Sequence, residues 1–410
     1  MSSAPLAHAT TESPRLLRAV FGSTFFIRFG FGMTVAVFAS YFTSHSVGLG
    51  SSSVGLVGFL SSLAPIGEFT TVLVFGLATD RYGRFPVLLG GTVSAALFLT
   101  VMSFGRAASL LGGANFLFGM ASGAILAASL AVVADQSGRG ERGFEMGRFD
   151  AMNLLGYISG FAVGIWAIGG VPNTELPWIF RLGAVILMAG FVFALLSVRG
   201  YPEPGQRNTF QLRHIRDALL RRDVLLVVLP WFVIYMLIGT AFIFLGTAAT
   251  GIGIPTSWLA AAIGGGGLIL LLTQPWYGRQ ADRRGRPVFL LIGTAGFVSL
   301  LALAGLVAQY GPRTYLLAGL GVSALPALGY GPAALASLAD VSHAFSRGTT
   351  MAVYSLIISA GMVVGLWGSS FLDSTFQVPG LDLFFLVVAA GLIVLTMARL
   401  DDLRARGTTA

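Results

Sequence analysis

Long apolar runs, separated by short polar segments, fill the chain from residue 19 almost to its end. Each run is long enough for an α-helix that crosses a bilayer, which takes about 20 apolar residues. The pattern predicts twelve spans, at 19–42, 54–78, 86–104, 109–134, 151–171, 178–198, 224–250, 257–277, 288–308, 315–339, 350–372 and 381–398. The expected fold class is an all-α polytopic membrane protein, and an even number of spans places both termini on one side.

One charged pattern occurs twice, each time in a short turn between two apolar runs. Both copies read G-x-x-x-D-R-x-G-R, and their members are Gly76, Asp80, Arg81, Gly83 and Arg84, then Gly278, Asp282, Arg283, Gly285 and Arg286. A second pattern, an acid followed seven residues later by Arg-Gly, also occurs twice, as Asp135 with Arg142 and as Asp340 with Arg347. Because both motifs recur in the same order at nearly the same offset, the sequence predicts two six-helix halves that arose by duplication.

The composition excludes several classes of function. The chain is 55% hydrophobic and 10% charged, whereas a soluble protein carries about 25% charged residues. It contains no cysteine, which excludes disulfides and thiolate metal sites. The glycine run 264–267 lacks the lysine of a phosphate loop, and the four histidines fall in tails or loops. We therefore expect no enzyme, no nucleotide, no nucleic acid and no resident cofactor or metal.

The distribution of arginine predicts the orientation. All 25 basic residues except Arg28, Arg106, Arg181 and Arg313 fall in the termini or in the loops on the side of the termini. Such a bias marks the cytoplasmic side of an inner or plasma membrane protein. The longest connection, 199–223, is rich in arginine and has apolar residues near one helical face. We interpret it as a basic amphipathic segment that lies on membrane lipids, and the alternative is a solvated linker.

Two ionisable residues fall inside predicted spans, Arg28 in the first and Glu68 in the second. Both lie about 3 Å to the cytoplasmic side of the midplane, as the helical rise of 1.5 Å per residue implies. A charge at this depth costs at least about 2.5–3.5 kcal/mol, which favours an ion pair between them or a water-filled cavity. We expect a switch that binds a proton or the substrate; the alternative is a static pair that fixes helix packing. The repeat places an apolar residue, Phe232, opposite Arg28.

Few other polar residues fall inside the spans. Those expected to serve substrate or proton coupling, beside Arg28 and Glu68, are Asn115, Tyr235, Gln274 and Tyr330. Aromatic residues dominate spans one and seven. A cavity with this lining suits a hydrophobic or amphipathic solute, including one that carries an acidic group. Pro326 and Gly329 predict a kinked or broken helix in span ten.

These motifs and the span count resemble those of the major facilitator superfamily. The resemblance implies two bundles related by a pseudo-two-fold axis, with alternating access to a central cavity. The bundles would be 1–198 and 224–410, joined by the linker 199–223. It also implies that the repeated charges form a cytoplasmic gate, in which each solvated ion pair contributes about 0–1 kcal/mol. The expected members are Gly76, Asp80, Arg81, Gly83, Arg84, Asp135, Arg142, Gly278, Asp282, Arg283, Gly285, Arg286, Asp340 and Arg347.

Two motifs depart from those of the drug:proton antiporter branch, which the chain otherwise resembles. Span four has Asn115 where that branch has Arg, ahead of Gly119 and Gly123, and span five keeps a glycine face without the proline. We expect a monomeric secondary transporter, with the proton as its coupling ion, that exports small amphipathic compounds. Alternatives are uptake or facilitated diffusion of a metabolite or organic anion, and a membrane sensor or partner-binding protein that does not transport.

Overall fold

The chain was analysed as a computed structural model. The structure describes residues 13–44, 54–137, 141–171, 175–198, 227–236, 239, 256–310, 313–341 and 347–376. The predicted linker 199–223 and the twelfth predicted span, 381–398, lie outside the described residues.

Helices occupy almost all of the described chain. They are α1 Ser13–Ser44, α2 Val54–Tyr82, α3 Arg84–Phe104, α4 Ala108–Gln136, α5 Arg142–Gly170, α6 Pro177–Val198, α7 Val227–Met236, α8 Thr256–Arg284, α9 Arg286–Tyr310, α10 Thr314–Leu328, α11 Tyr330–Val341 and α12 Arg347–Phe376. Each of the first eleven predicted spans overlaps one of these helices, except the tenth, which overlaps two. Within the described ranges, seven helical stretches are long and apolar enough to cross a membrane. The prediction of an all-α polytopic fold is confirmed.

Two of the interhelical turns depend on glycine. Gly83 separates α2 from α3 at a φ of 104°, and Gly285 separates α8 from α9 at a φ of 93°. A side chain is disfavoured at such angles, so the glycine that closes each G-x-x-x-D-R-x-G pattern allows the chain to reverse within one residue. We call the end of the molecule that carries these two turns the gate end.

Span ten breaks where its sequence predicts. α10 contains Pro326 near its end, and α11 starts at Tyr330, directly after Gly329. A Cβ at Gly293 of α9 would lie 2.7 Å from the Cβ of Tyr330. Glycine on α9 therefore lets the segment that follows the break pack closely.

Glycine also sets how closely the helices of the first half approach. Gly160 on α5 faces the carbonyl oxygen of Phe29 on α1, and a Cβ there would clash with that oxygen. Gly119 on α4 faces the carbonyl oxygen of Ala64 on α2 in the same manner. α1 therefore packs mainly along α5, and α2 mainly along α4 and α12. Such contacts let main chains approach in lipid, where no hydrophobic force drives helices together.

The second half repeats the crossing of α1 with α5. Gly32 of α1 lies against the carbonyl oxygen of Tyr157 on α5, and Gly239 lies against that of Met362 on α12. The match of these two crossings reflects the pseudo-two-fold relation between the halves.

This match corrects one expectation about the repeat. Arg28 lies four residues before Gly32, and Tyr235 lies four residues before Gly239. Tyr235 therefore occupies the position equivalent to Arg28, and the prediction of Phe232 there is wrong. The offset between the repeated turns does not hold for α7. The contacts of Gly32 and Gly239 align α1 with α7 directly.

Candidate functional site

A cavity of about 340 Å³ lies between the two halves. α1, α2, α4 and α5 line it from the first half, and α7 and α12 line it from the second. Its surface is mostly apolar and includes four phenylalanines. Its polar lining residues are Arg28, Thr34, Ser61, Glu68, Asn115, Ser122, Asn153, Tyr157, Tyr235 and Ser359. A mostly apolar enclosure with few polar groups is typical of sites for small organic molecules. We call it the central cavity.

Arg28 is the cation of the central cavity. Its side chain is buried, with 8% exposed. Nη1 donates a hydrogen bond of 3.2 Å to Ser122 Oγ on α4, and the guanidinium lies 5.5 Å from the ring centroid of Phe31. A hydroxyl and an aromatic face leave most of the five N–H donors of the guanidinium without a charged partner. The site therefore offers a positive charge to an anionic group.

Glu68 contacts the opposite half of the molecule. Its Oε1 accepts a hydrogen bond from Ser355 Oγ on α12. Among the described residues it forms no ion pair with Arg28, so the predicted pair is wrong for this conformation. Equal depth did not bring the two side chains together because α1 packs on α5 and α6, whereas α2 packs on α4 and α12. A carboxylate thus connects the two halves beside the cavity.

Asn115 and Tyr235 also line the central cavity. Asn115 Nδ2 donates a hydrogen bond of 2.9 Å to the carbonyl oxygen of Leu60. With Gly119 and Gly123, Asn115 therefore forms the face of α4 that packs on α2. Its carboxamide fixes a helix crossing, whereas an arginine at this position would place a second cation in the cavity.

Gln274 and Tyr330 lie outside the cavity lining. Gln274 Nε2 donates to the carbonyl oxygen of Leu328 at 2.8 Å, and Tyr330 Oη donates to the carbonyl oxygen of Val227 at 2.5 Å. Both side chains are fully buried. They connect helices of the second half, between the central cavity and the gate end.

The first copy of the charged turn forms a compact network within the first half. Arg84 Nε lies 2.9 Å from Asp135 Oδ2, and its Nη1 lies 3.5 Å from Asp80 Oδ1 and donates to the carbonyl oxygen of Thr79. The Arg84 side chain is only 3% exposed. The expectation of solvated pairs is therefore wrong here, because the helix ends bury the guanidinium and carbonyl and carboxylate oxygens satisfy it.

The second copy closes the gate end between the halves. Asp282 on α8 accepts hydrogen bonds of 3.0 Å from the main-chain N–H groups of Gly143 and Phe144, in the first turn of α5. These N–H groups have no partner within their own helix, and the helix dipole favours a negative charge beside them. Asp282 also lies 3.5 Å from Arg286. One carboxylate therefore caps a helix of the other half.

A second contact across the gate end involves the acid-to-arginine motifs. Arg142 Nη1 lies 3.1 Å from Asp340 Oδ1, and Arg286 also pairs with Asp340. Arg286 Nη1 donates to the carbonyl oxygen of Ala336 as well. Asp340 is 43% exposed, so this part of the network is open to solvent.

The main chains of the two halves also meet at the gate end, beside these ion pairs. A Cβ at Gly278 on α8 would clash with the carbonyl oxygen of Gly143 on α5, and one at Gly147 would lie 2.7 Å from that of Gln274. The glycine that opens the second charged pattern is thus a contact point between the halves.

Four further residues were predicted for the gate, namely Gly76, Arg81, Arg283 and Arg347. Arg81 and Arg283 are exposed and form no ion pair with any described residue. Gly76 is buried within α2, and Arg347 begins α12, with its side chain outside the described part.

Comparison with known proteins identifies the family. A family model, the Major Facilitator Superfamily, matches residues 20–272. The chain belongs to the major facilitator superfamily.

Relatives of this major facilitator include two named for drug resistance. A tetracycline resistance protein, class G, of Vibrio anguillarum is 30% identical over 300 residues, which cover 67% of this chain and 72% of that protein. The multidrug resistance protein MdtG of Escherichia fergusonii is 23% identical over 197 residues, 47% of this chain and 46% of that protein. The crystal structure of the human organic anion transporter MFSD10 matches with a TM-score of 0.74 and 16% identity, over 94% of this chain and 99% of that one. This last likeness concerns the fold.

Sequence reasoning missed one buried acid of this major facilitator. Span five was predicted to begin at residue 151, but α5 begins at Arg142 and places Asp150 inside the helix, 1% exposed. The helical spacing of Gly143, Gly147 and Asp150 puts all three on one face, towards α8. This spacing was the signal that could have revealed Asp150. The serines that bind Arg28 and Glu68 were missed too, because serine is common in apolar helices and only the fold shows its partner.

Proposed function

We propose that this major facilitator is a secondary active transporter that exports a small amphipathic solute in exchange for protons. The observation that carries the proposal is the central cavity, where one cation and one carboxylate stand apart in an apolar enclosure between the halves. The gate end is closed by contacts that can separate, since they consist of helix caps, ion pairs and glycine contacts. Alternating access needs both features, a site between the halves and a closure at one end.

The lining supports an amphipathic solute. Phenylalanine and aliphatic side chains form most of the surface, so an apolar body gains free energy when it leaves water. Arg28 offers an anionic group its unused N–H donors, and Glu68 offers an acceptor to a cationic or donor group. The name of the tetracycline resistance relative suggests a drug-like compound as the first to test.

The position of Glu68 supports proton exchange. A deprotonated Glu68 can hold the donor group of a solute, and a protonated one cannot hold a cation. Solute and proton would then compete for one carboxylate, which makes their movements opposite. Protonation would also weaken the bond from Ser355, because a carboxylate accepts hydrogen bonds more strongly than a carboxylic acid does. Proton binding is thus linked to the contact between the halves.

A second function has one observation in its favour. Arg28 lies in an apolar cavity, where the contacts found for it within the described part of the chain are a serine hydroxyl and an aromatic ring. An organic anion would give it a charged partner, and a protonated Glu68 would not repel that anion. Uptake of an organic anion together with a proton is therefore the alternative.

Transport by purified protein in proteoliposomes separates the two functions. With radiolabelled tetracycline outside, exchange predicts accumulation when the lumen is acidic, and a protonophore should abolish it. Glu68→Gln should lose the response to the pH gradient but keep tetracycline exchange between equal pH values. Glu175→Gln, an exposed carboxylate outside the cavity, is the matched control and should behave as the wild type.

The opposite results are equally clear. Accumulation only with an alkaline lumen would favour cotransport and reject export by exchange. Binding of tetracycline without any transport would favour a sensor. Gradient-driven accumulation by Glu68→Gln at the wild-type rate would show that Glu68 does not couple the proton.

A further inference from the structure

Asp150 is a buried acid that the proposed exchange does not use. It lies on α5, one helical turn nearer the gate end than the cavity residues Asn153 and Leu154. Its side chain is 1% exposed, and neither carboxyl oxygen has a hydrogen-bond partner among the described residues. No described arginine forms an ion pair with it. An anion in this position would lack water, donors and a countercharge, and that combination is the most costly for a buried carboxylate.

A buried acceptor of the other half borders the same glycine as Asp150. A Cβ built on Gly331 of α11 would lie 2.5 Å from Asp150 Oδ2 and 3.4 Å from Gln274 Oε1. Gln274 Nε2 already donates to the carbonyl oxygen of Leu328, which orients the carboxamide. Gln274 Oε1 is buried and accepts no hydrogen bond from any described residue. A protonated Asp150 supplies the donor that this oxygen lacks, and an ionised one does not.

The titratable groups around Asp150 do not stabilise its charge. On its own helix, Glu145 pairs with Arg148 at 3.1 Å, and Arg142 pairs with Asp340. On the helices packed against it, the groups that interact with it are the phenols of Tyr235 on α7 and Tyr354 on α12. α8 faces it with the uncharged Gln274. α11 faces it with Gly331 and with Tyr330, whose hydroxyl donates to the carbonyl oxygen of Val227.

The closed gate is what keeps water from Asp150. Gly147 and Gly143, one and two turns before it on α5, contact the carbonyl oxygen of Gln274 and Gly278 on α8. Opening of the gate end between α5 and α8 would separate these contacts. Water would then reach Asp150, and hydration favours the ionised form.

We propose that Asp150 is a second proton-binding site, which holds a proton while the gate end is closed and releases it when the gate end opens. The proton sits on a carboxyl oxygen and bonds to Gln274 Oε1; on opening it passes to water on the gate side, and the carboxylate remains. This inference rests on the proposed proton exchange, because it gives the proton a site that faces alternate sides. The Asp150 site differs from Glu68 because opening of the gate end controls whether water reaches its carboxyl group.

A distance measurement tests the site without any solute or pH gradient. Tyr82 and Arg284 are exposed at the gate ends of α2 and α8, one in each half. The chain has no cysteine, so Tyr82→Cys and Arg284→Cys accept spin labels at these two positions alone. Pulsed electron paramagnetic resonance on the purified protein then gives the closed and open populations. In the wild type the closed population should rise as the pH falls.

Three variants show which carboxyl group causes the pH dependence of the closed population. Asp150→Asn is uncharged and can donate to Gln274 Oε1, so it should stay closed at every pH. Glu68→Gln should keep a pH-dependent closure. Glu145→Gln is the matched control, a buried carboxylate on the same helix with its own arginine, and should keep the wild-type midpoint. An unchanged titration in Asp150→Asn, or its loss in Glu68→Gln alone, would overturn the proposal.

A further variant covers the case in which Asp150→Asn does not fold. Gln274→Met removes the acceptor of the proton and should move the midpoint of closure down by about one pH unit. A midpoint that stays in place would count against the site. Because these populations need no solute, a protein that titrates in this way but fails to respond to a gradient in proteoliposomes would reject the proposed exchange and leave the Asp150 site standing.

Discussion

At the scale of single residues, the charges of the central cavity are held by serines and not by each other. Ser122 on α4 binds Arg28, and Ser355 on α12 binds Glu68. Only the second of these bonds crosses between the halves. The cation is therefore fixed within the first half, whereas the carboxylate has a partner that moves away when the halves separate.

This difference predicts the result of a double-mutant cycle. Glu68→Gln and Ser355→Ala should be coupled by about 1–3 kcal/mol in the free energy of unfolding, because they share a bond to a charged group. Arg28→Gln and Ser355→Ala share no bond and should be additive within about 0.5 kcal/mol. Thermal or denaturant unfolding of the four Glu68 and Ser355 combinations measures the coupling. Additive effects in the Glu68 pair would show that the bond is absent in the folded protein.

Sequence reasoning found the residues whose chemistry is unusual for lipid. Arg28 and Glu68 stand out in an apolar run, and both line the cavity. Their partners could not be predicted, because a charged residue in an apolar helix indicates only that some polar or charged group must bind it. The choice between another charge and a serine depends on which helices pack together.

At the scale of helices, glycine spacing decides which pairs pack closely. The face of α4 formed by Asn115, Gly119 and Gly123 contacts Leu60, Ala64 and Glu68 of α2 in turn. The hydrophobic pattern located most of the spans to within a few residues. It failed at the start of α5, where polar Glu145 and Asp150 are helical and buried, since burial of polar residues between helices removes the hydropathy signal.

A matched pair of glycines on α4 tests this packing. Gly119→Ala should destabilise the protein by about 1–3 kcal/mol, because its Cβ would clash with the carbonyl oxygen of Ala64 and force α2 and α4 apart. Gly113→Ala places its Cβ in open space on the same helix, and should be neutral or stabilising by about 0.5–1 kcal/mol. Melting temperatures of the two purified variants give the comparison. Equal stability of both would mean that the close approach of α2 and α4 is not maintained.

At the scale of the whole molecule, the gate end is closed by a carboxylate that binds the main chain of the opposite half. Asp282 binds the N–H groups of Gly143 and Phe144, and Asp340 binds Arg142 across the same end. Closure at α5 therefore depends on the second copy of the motif. The repeated pattern predicted a gate, but only the fold shows that Asp282 caps a helix of the other half.

Removal of the Asp282 charge should open the gate. Asp282→Asn keeps one acceptor but presents an N–H₂ group to the other main-chain donor, which should cost the closed state about 1–3 kcal/mol. The ratio of open to closed molecules should rise by about 5- to 150-fold, as seen in the distance between spin labels at positions 82 and 284. Glu145→Gln, whose partner Arg148 lies one turn further along the same helix, is the control and should change that ratio less. A larger change in Glu145→Gln than in Asp282→Asn would count against the cap on α5.

The arginine bias predicts the orientation of the whole molecule. Position 213, in the linker between the halves, should face the cytoplasm together with both termini. Arg213→Cys would provide the only thiol in the chain. A membrane-impermeant maleimide should label it in inverted vesicles and not in intact cells. Labelling from outside intact cells would contradict this orientation and would place the linker and the gate end on the outer side of the membrane.

The contact of Gly143 with Gly278 has a consequence for speed. At this point main chain meets main chain, and the Asp282 carboxylate lies beside it on the N–H of Gly143. Side chains at a closing surface must each find one rotamer, and every such choice lowers the conformational entropy. Glycine has no rotamers, so the contact between Gly143 and Gly278 re-forms without a search among side-chain conformations by either residue. The time taken to reseal at this crossing is then set by how fast α5 and α8 approach as rigid rods.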